Sequence, residues 1–327
     1  MRGDILKKKL MVLCAVAIII STCLSGCKMN SGKIRFGSAG IGGTYQIFGD
    51  TFANLISSKS KKYNIEVKTT AGSAANLRLL SKDYIQMAVA QMDLINDAYN
   101  RTGIFENDKK YQGYRAVASL YTECCQIVVR KDSGITGIDD LINKTVSVGA
   151  SESGSEKNAE QILKMSGITD ELINKVNMDY TEAAEKLKAG EIDAFFCTAG
   201  TRTEVIGQLS KECDIHLISL DDKCIDKMLS AYSLCEKYTI PAGTYNGQDS
   251  DVTTIGVKAV LIAKQSLSDD VIKNVTKTIY EHADDFKYAT SLDISFDINT
   301  AADGVDIPFH SGAAAYYTER GINVLTE

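Results

Sequence analysis

Gly37-Ser38-Ala39-Gly40-Ile41-Gly42-Gly43-Thr44-Tyr45 follows the strand-like run Ile34-Arg35-Phe36 and opens an amphipathic segment. There Tyr45, Phe48, Phe52, Leu55 and Ile56 recur at three- and four-residue steps, which puts them on one helical face. A strand that turns through glycines into a helix leaves backbone N–H groups bare at the turn. With the positive end of the helix dipole these form an anion site. The same glycines also serve a plain tight turn, and this stretch alone leaves the two readings level. A dinucleotide site is the sharper alternative, and it fails. The glycines run G-x-x-G-x-G-G rather than G-x-G-x-x-G, and the next strand-like run, Tyr63 to Lys68, continues into Thr69-Thr70-Ala71-Gly72 instead of a ribose-binding acid. A small anion suits the junction better than NAD.

The same junction recurs along the chain, in an alternation of strand-like and helix-like segments that marks an α/β fold. Thr70 to Leu77 is a second small-residue turn entering a helix, with Ser73 suited to the N-cap and Asn76 in the first turn. Gln86 to Ala90 reads as a buried strand ending at Gln91-Met92-Asp93. Tyr114 to Val129 carries two strand-like runs, Ala116 to Leu120 and Gln126 to Val129, with a crossing to a second lobe between them. That lobe restarts with a short helix from Ile138 and a strand from Thr145 to Val148. Gly149 to Glu156 then leads into a helix reaching about Ser166, with Ser155 suited to cap it. Val176 to Tyr180 reads as a strand, Glu182 to Lys188 as a helix, and Ile192 to Gly200 as a strand ending in a small-residue turn. The chain returns at Ile240-Pro241-Ala242-Gly243-Thr244-Tyr245, and the strand-like Val252 to Ala263 precedes one long helix over Asp269 to Phe286.

Arg2, Lys7, Lys8 and Lys9 precede the apolar run Leu10 to Ile20, a targeting signal too short to span a bilayer permanently. Leu24-Ser25-Gly26-Cys27 behind it resembles the lipobox of bacterial lipoproteins. That resemblance implies cleavage before Cys27 and a diacylglycerol on its sulfur. Removal of residues 1–26 leaves 32 of the 36 basic and 41 of the 42 acidic side chains, a net charge of −9. This balance excludes a nucleic-acid partner. About three hundred residues with 44% apolar content suit two lobes. Six cysteines follow Cys27, and Cys213, Cys224 and Cys235 stand eleven apart without a C-x-x-C pair. They read mostly as small buried side chains, with a disulfide within 213–235 as the lesser alternative.

Catalytic signatures are thin. His216, His282 and His310 stand apart, with no H-E-x-x-H and no nucleophile elbow. Glu191 and Asp193 read as solvated strand ends or as a structural contact. Nothing calls for an enzyme, a cofactor or a metal. Each helix end contributes about 0.3–1 kcal/mol to an exposed anion, or up to about 2 when partly buried. Micromolar binding needs about 8 kcal/mol. Side chains must therefore supply the rest, from Thr44, Ser73, Asn76, Gln91, Ser153 and Thr198, with Tyr45 packing beside them.

Five motifs in order give the chain its resemblance. They are Gly42-Gly43-Thr44-Tyr45, then Ala71-Gly72-Ser73 with Asn76-Leu77-Arg78-Leu79-Leu80, then Gln91-x-Asp93. Val146-Ser147-Val148-Gly149 with Ser153-Gly154-Ser155-Glu156 and Ile240 to Tyr245 complete them. Together they resemble the TAXI family, the extracytoplasmic solute receptors of TRAP transporters, from about Ile34 to Gly321. The resemblance implies a two-lobed type II periplasmic-binding-protein fold that closes on a small organic acid, glutamate-like or 2-oxoglutarate-like, and delivers it to a TRAP permease. As ligand contacts it implies Gly43, Thr44, Tyr45, Ser73, Asn76, Gln91, Ser153, Gly154, Ser155 and Thr198. Residues 1–26 are then a signal peptide, 27–33 a lipidated linker, 34–121 with 246–327 lobe I, and 122–245 lobe II. The protein is expected lipid-anchored on the outer face of the bacterial cytoplasmic membrane.

Two departures from the family stand out. Ala150-Ser151-Glu152 replaces the prolines that often follow the strand at Thr145, which either sets a negative charge near the anion site and narrows ligand choice or simply points Glu152 to water. The turn at Thr198 to Arg202 also differs, which makes Arg202 a candidate charge partner, against the plainer reading of a surface arginine.

Overall fold

A computed structural model describes residues 32–59, 63–109, 111–290 and 296–327. The targeting segment, Cys27 and the linker up to residue 31 lie outside the described residues. Strands β1 (Gly32–Gly37), β2 (Tyr63–Lys68) and β3 (Met87–Gln91) start the sheet. β1 lies between the other two and is parallel to both, with Phe36 opposite Val67 on one side and Met87 on the other. Parallel neighbours need crossover helices, and Thr44–Lys59 and Ser73–Ser81 supply them. The first presents the apolar face expected of it. Phe48 and Phe52 stack on each other and pack on Phe36, all three buried. Burying a side chain of that size stabilises the fold by about 1.5–3 kcal/mol.

β4 (Tyr114–Arg130) is one unbroken strand of 17 residues where the sequence suggests two runs. Half-buried Tyr121 and Thr122 interrupt its apolar pattern, but the backbone ladder continues across them. The second lobe adds β5 (Thr145–Ser147), β6 (Asn174–Val176), β7 (Ala194–Ala199), β8 (Ile215–Leu217) and β9 (Cys235–Ile240). The chain returns along β10 (Val252–Lys264), antiparallel to β4 from Lys264 beside Tyr114 to Gly256 beside Cys124. At one end β10 also pairs with β3, and at the other with β9. The sheet order is β2-β1-β3-β10-β4-β7-β5-β6, with β8 on β4.

The apolar core follows this division. One cluster joins Ile34 to Leu120 with Ala259 to Tyr317, and two others gather residues between Cys124 and Ile255. β4 and β10 contribute to both regions and are the ties between them.

Several local readings shift. β6 ends at Val176, and Asp179 caps a helix over Tyr180–Ala189 by accepting from the Glu182 N–H at 2.9 Å. The second-lobe helix Gly154–Met165 is capped by Ser153 rather than Ser155, because the Ser153 Oγ accepts from the Glu156 N–H at 3.0 Å. Gly72, not Ser73, sits at the N-cap of Ser73–Ser81, with a φ of 123° that a side chain would strain. The long helix expected over Asp269 to Phe286 breaks at His282 into Asp269–Glu281 and Ala283–Thr290. The break lets Phe286 stack on Phe48. All six cysteines after Cys27 are free, so no disulfide forms within 213–235. Burial pushes the Cys124, Cys125 and Cys235 thiols up to about 12, which keeps them protonated. Among the described residues no helix is long and apolar enough to cross a membrane.

Candidate functional site

The carboxyl ends of β1, β3 and β7 face a cavity of about 40 Å³ between the two regions. Four helices begin at it. Their first residues, Thr44, Ser73, Gly154 and Tyr180, all line it. Of the ten sequence-selected residues, Gly43, Thr44, Tyr45, Ser73, Gln91, Ser153, Gly154, Ser155 and Thr198 stand around the cavity.

Asn76 does not. Its buried carboxamide donates to the carbonyls of Ser38 at 2.7 Å and Val89 at 2.9 Å, and its oxygen accepts from the Thr70 hydroxyl at 2.8 Å. These bonds bind the first glycine turn to β3, so Asn76 builds the wall behind the cavity. Glu152 forms an ion pair with Arg78 at 3.1 Å, and its carbonyl accepts from the Ala75 N–H at 3.1 Å. It therefore fastens one region to the other from outside the cavity. Arg202 is exposed and absent from the lining.

Two hydrogen-bonded groups of side chains face each other across the cavity. On the first-lobe side the Ser73 Oγ accepts from the Gln91 N–H at 3.1 Å and lies 3.5 Å from the Tyr45 hydroxyl. That hydroxyl donates to Glu123 Oε2 at 2.6 Å. On the second-lobe side the Ser155 Oγ accepts from the Thr198 N–H at 2.8 Å and meets the Tyr180 hydroxyl at 2.6 Å, which itself donates to the Thr198 carbonyl at 2.9 Å. The Thr44 hydroxyl accepts from the Gly200 N–H at 3.1 Å and joins the two sides directly. Tyr245 holds that turn in place: its hydroxyl donates to Gln126 at 2.5 Å and accepts from the Thr203 N–H at 3.0 Å. Lys157, outside the cavity lining, pairs with Asp97 and lies 3.4 Å from Asp93.

Tyr180 and Glu123 are among the lining residues that the sequence does not single out. Tyr180 was hidden by the strand expected through it. Glu123 was passed over, although a lone acid inside Leu120-Tyr121-Thr122-Glu123-Cys124-Cys125-Gln126-Ile127 is itself a signal. It is only 3% exposed. Burial pushes its carboxyl up to about 8, against the pull of the hydrogen bonds from Tyr45 and Gln91, so near neutral pH it carries a proton. Among the described residues no group of three or more His, Cys, Asp and Glu is placed to hold a metal ion.

The chain is similar to several solved structures. A protein from Bordetella bronchiseptica superposes with a TM-score of 0.52 at 16% identity, covering 90% of this chain and 83% of its own. A protein from Listeria monocytogenes assigned to L-cystine ABC transport gives 0.50 at 14% identity, covering 81% and 98%. The alkanesulfonate-binding protein SsuA of Xanthomonas axonopodis pv. citri, solved with MOPS bound, gives 0.48 at 11% identity, covering 80% of each chain. The fold is the type II periplasmic-binding-protein fold. The model of the NMT1-like family matches residues 36–321, nearly all of the described chain, and the chain belongs to that family.

Proposed function

We propose that this chain is the extracytoplasmic solute-binding receptor of a TAXI-type TRAP transporter, which captures a small organic acid between its lobes and delivers it to a membrane permease. The observation that carries the reading is the convergence of four helix N-termini and buried hydroxyls on one cavity between two separately packed regions. Helix N-termini favour negative charge. Hydroxyls of Thr44, Ser73, Ser153, Ser155 and Thr198 add hydrogen bonds that helix ends alone do not supply. The lobes in this reading are 34–121 with 246–327 and 122–245, moving about β4 and β10. Binding shifts an open–closed equilibrium by the ligand's preference for the closed form. Cys27 carries the lipid that keeps the receptor at the outer face of the cytoplasmic membrane. The chain acts without catalytic residues or cofactor, so a bound solute should be recovered chemically unchanged by mass spectrometry.

The test is a thermal-shift screen of the purified protein against amino acids, mono- and dicarboxylates and 2-oxo acids. A ligand at one hundred times its dissociation constant adds about 2.7 kcal/mol, which raises the melting temperature visibly. Ser73→Ala and Thr44→Ala should each weaken that ligand at least about tenfold, the cost of a lost buried hydrogen bond. Full affinity in both variants would sink the assignment of the site.

A further inference from the structure

Charge in the cavity is one-sided. Among the described residues Glu123 and, at the rim, Asp179 are its acidic side chains, and no lysine, arginine or histidine lines it. A purely anionic solute finds helix ends for one carboxylate there, but no basic side chain for any further negative charge. Glu123 is held rigidly: Tyr45 donates to one oxygen at 2.6 Å, and the strand beneath it is paired with β10, where Val257 lies opposite. Beside it Gln91 is 1% exposed, and its Oε1 accepts no hydrogen bond. The Gln91 Oε1 is an orphaned acceptor, and the acid beside it becomes a second acceptor once it gives up its proton. An ammonium offers three N–H donors and a positive charge, which a carboxylate cannot.

We propose that Glu123 and the Gln91 Oε1 receive a protonated amine, so that the cleft selects small zwitterions, in which an amine sits beside the carboxylate, over plain organic acids. This rests on the receptor reading above and narrows its ligand class. The ligand carboxylate lies toward the helix ends at Thr44, Ser73 and Gly154, and its amine toward the strand that ties the lobes. A buried charge is costly alone and is offset when an opposite charge and hydrogen bonds meet it. The groups surrounding Glu123 are Tyr45, Asp93, Tyr121, Cys124, Tyr180 and Cys197, none of them cationic. In the unliganded protein Glu123 is therefore protonated near neutrality. When the ammonium arrives, the carboxyl gives its proton to solvent and becomes the carboxylate partner, while the amine keeps all of its protons.

Isothermal titration of the purified protein with matched sets separates the possibilities. The sets are L-alanine, pyruvate and propionate, and L-glutamate, 2-oxoglutarate and glutarate, each in two pH 7 buffers of different ionisation enthalpy. We expect at least one amino acid to bind about 100-fold more tightly than its amine-free counterparts, with release of about one proton. Glu123→Gln should weaken that amino acid about 100-fold and abolish the proton release. Equal or tighter binding of the amine-free acids, or amino-acid binding without proton release, overturns the role of Glu123 and leaves the receptor reading standing. Binding of no compound in either set overturns both. Should the variant not fold, the wild-type affinities and proton count still decide.

Discussion

Replacing Glu123 by Gln in the unliganded protein should raise its stability by an amount that grows with pH. In the folded chain the carboxyl titrates at about 8, against an ordinary 4.5 when exposed. Between those values the unfolded chain has released a proton that the folded chain still holds, so stability falls as pH rises through the window. Each pH unit costs about 1.4 kcal/mol, which gives a ceiling of about 5 kcal/mol above pH 8 and about 3 kcal/mol at pH 7. Gln has the same shape, still accepts from Tyr45, and titrates nowhere. The variant should therefore gain little near pH 5, roughly 5–10 °C in melting temperature at pH 7, and slightly more at pH 8, with no growth beyond. Differential scanning calorimetry from pH 5 to 9, without ligand, reads this directly. A difference in melting temperature that stays flat over that range would refute the reasoning, because Glu123 would then be ionised in the folded protein.

Three further outcomes follow from contacts between and within the lobes. A Cβ on Gly154 would run into the Gln91 carboxamide across the cleft, yet Gly154 has no positive φ, so Gly154→Ala should fold normally and fail to close. Small-angle scattering should then show no compaction with ligand, and affinity should fall at least about tenfold, the scale of an overpacking clash. Lys157→Met leaves Asp93 and Asp97 facing each other without their shared cation. It should disfavour the closed form by about 3–5 kcal/mol, read as faster ligand dissociation. Tyr180→Phe removes the hydroxyl that ties Ser155 to the Thr198 carbonyl, and urea unfolding should record a loss of about 1–2 kcal/mol.

What the sequence by itself determined is local. The strand–glycine–helix junctions at Gly37 to Tyr45 and Gly149 to Glu156, the buried face of Phe48 and Phe52, and the alternation of elements were legible, because periodicity and turn chemistry act over a few residues. The targeting segment was read in the same way and lies outside the described residues. Other features were decided only by tertiary structure. β4 runs unbroken because β10, more than 100 positions away, pairs across its polar interruption. Asn76 belongs to the wall and not the cavity because carbonyls from two separate strands and a loop converge on it. Tyr180 reaches the cavity because Asp179 starts a helix where alternation had suggested a strand. Glu123 carries its proton because of what surrounds it: its own strand reads as a charged residue near a crossing, and only the packing of Tyr45, Gln91 and Tyr121 around it removes the water that would otherwise keep it ionised.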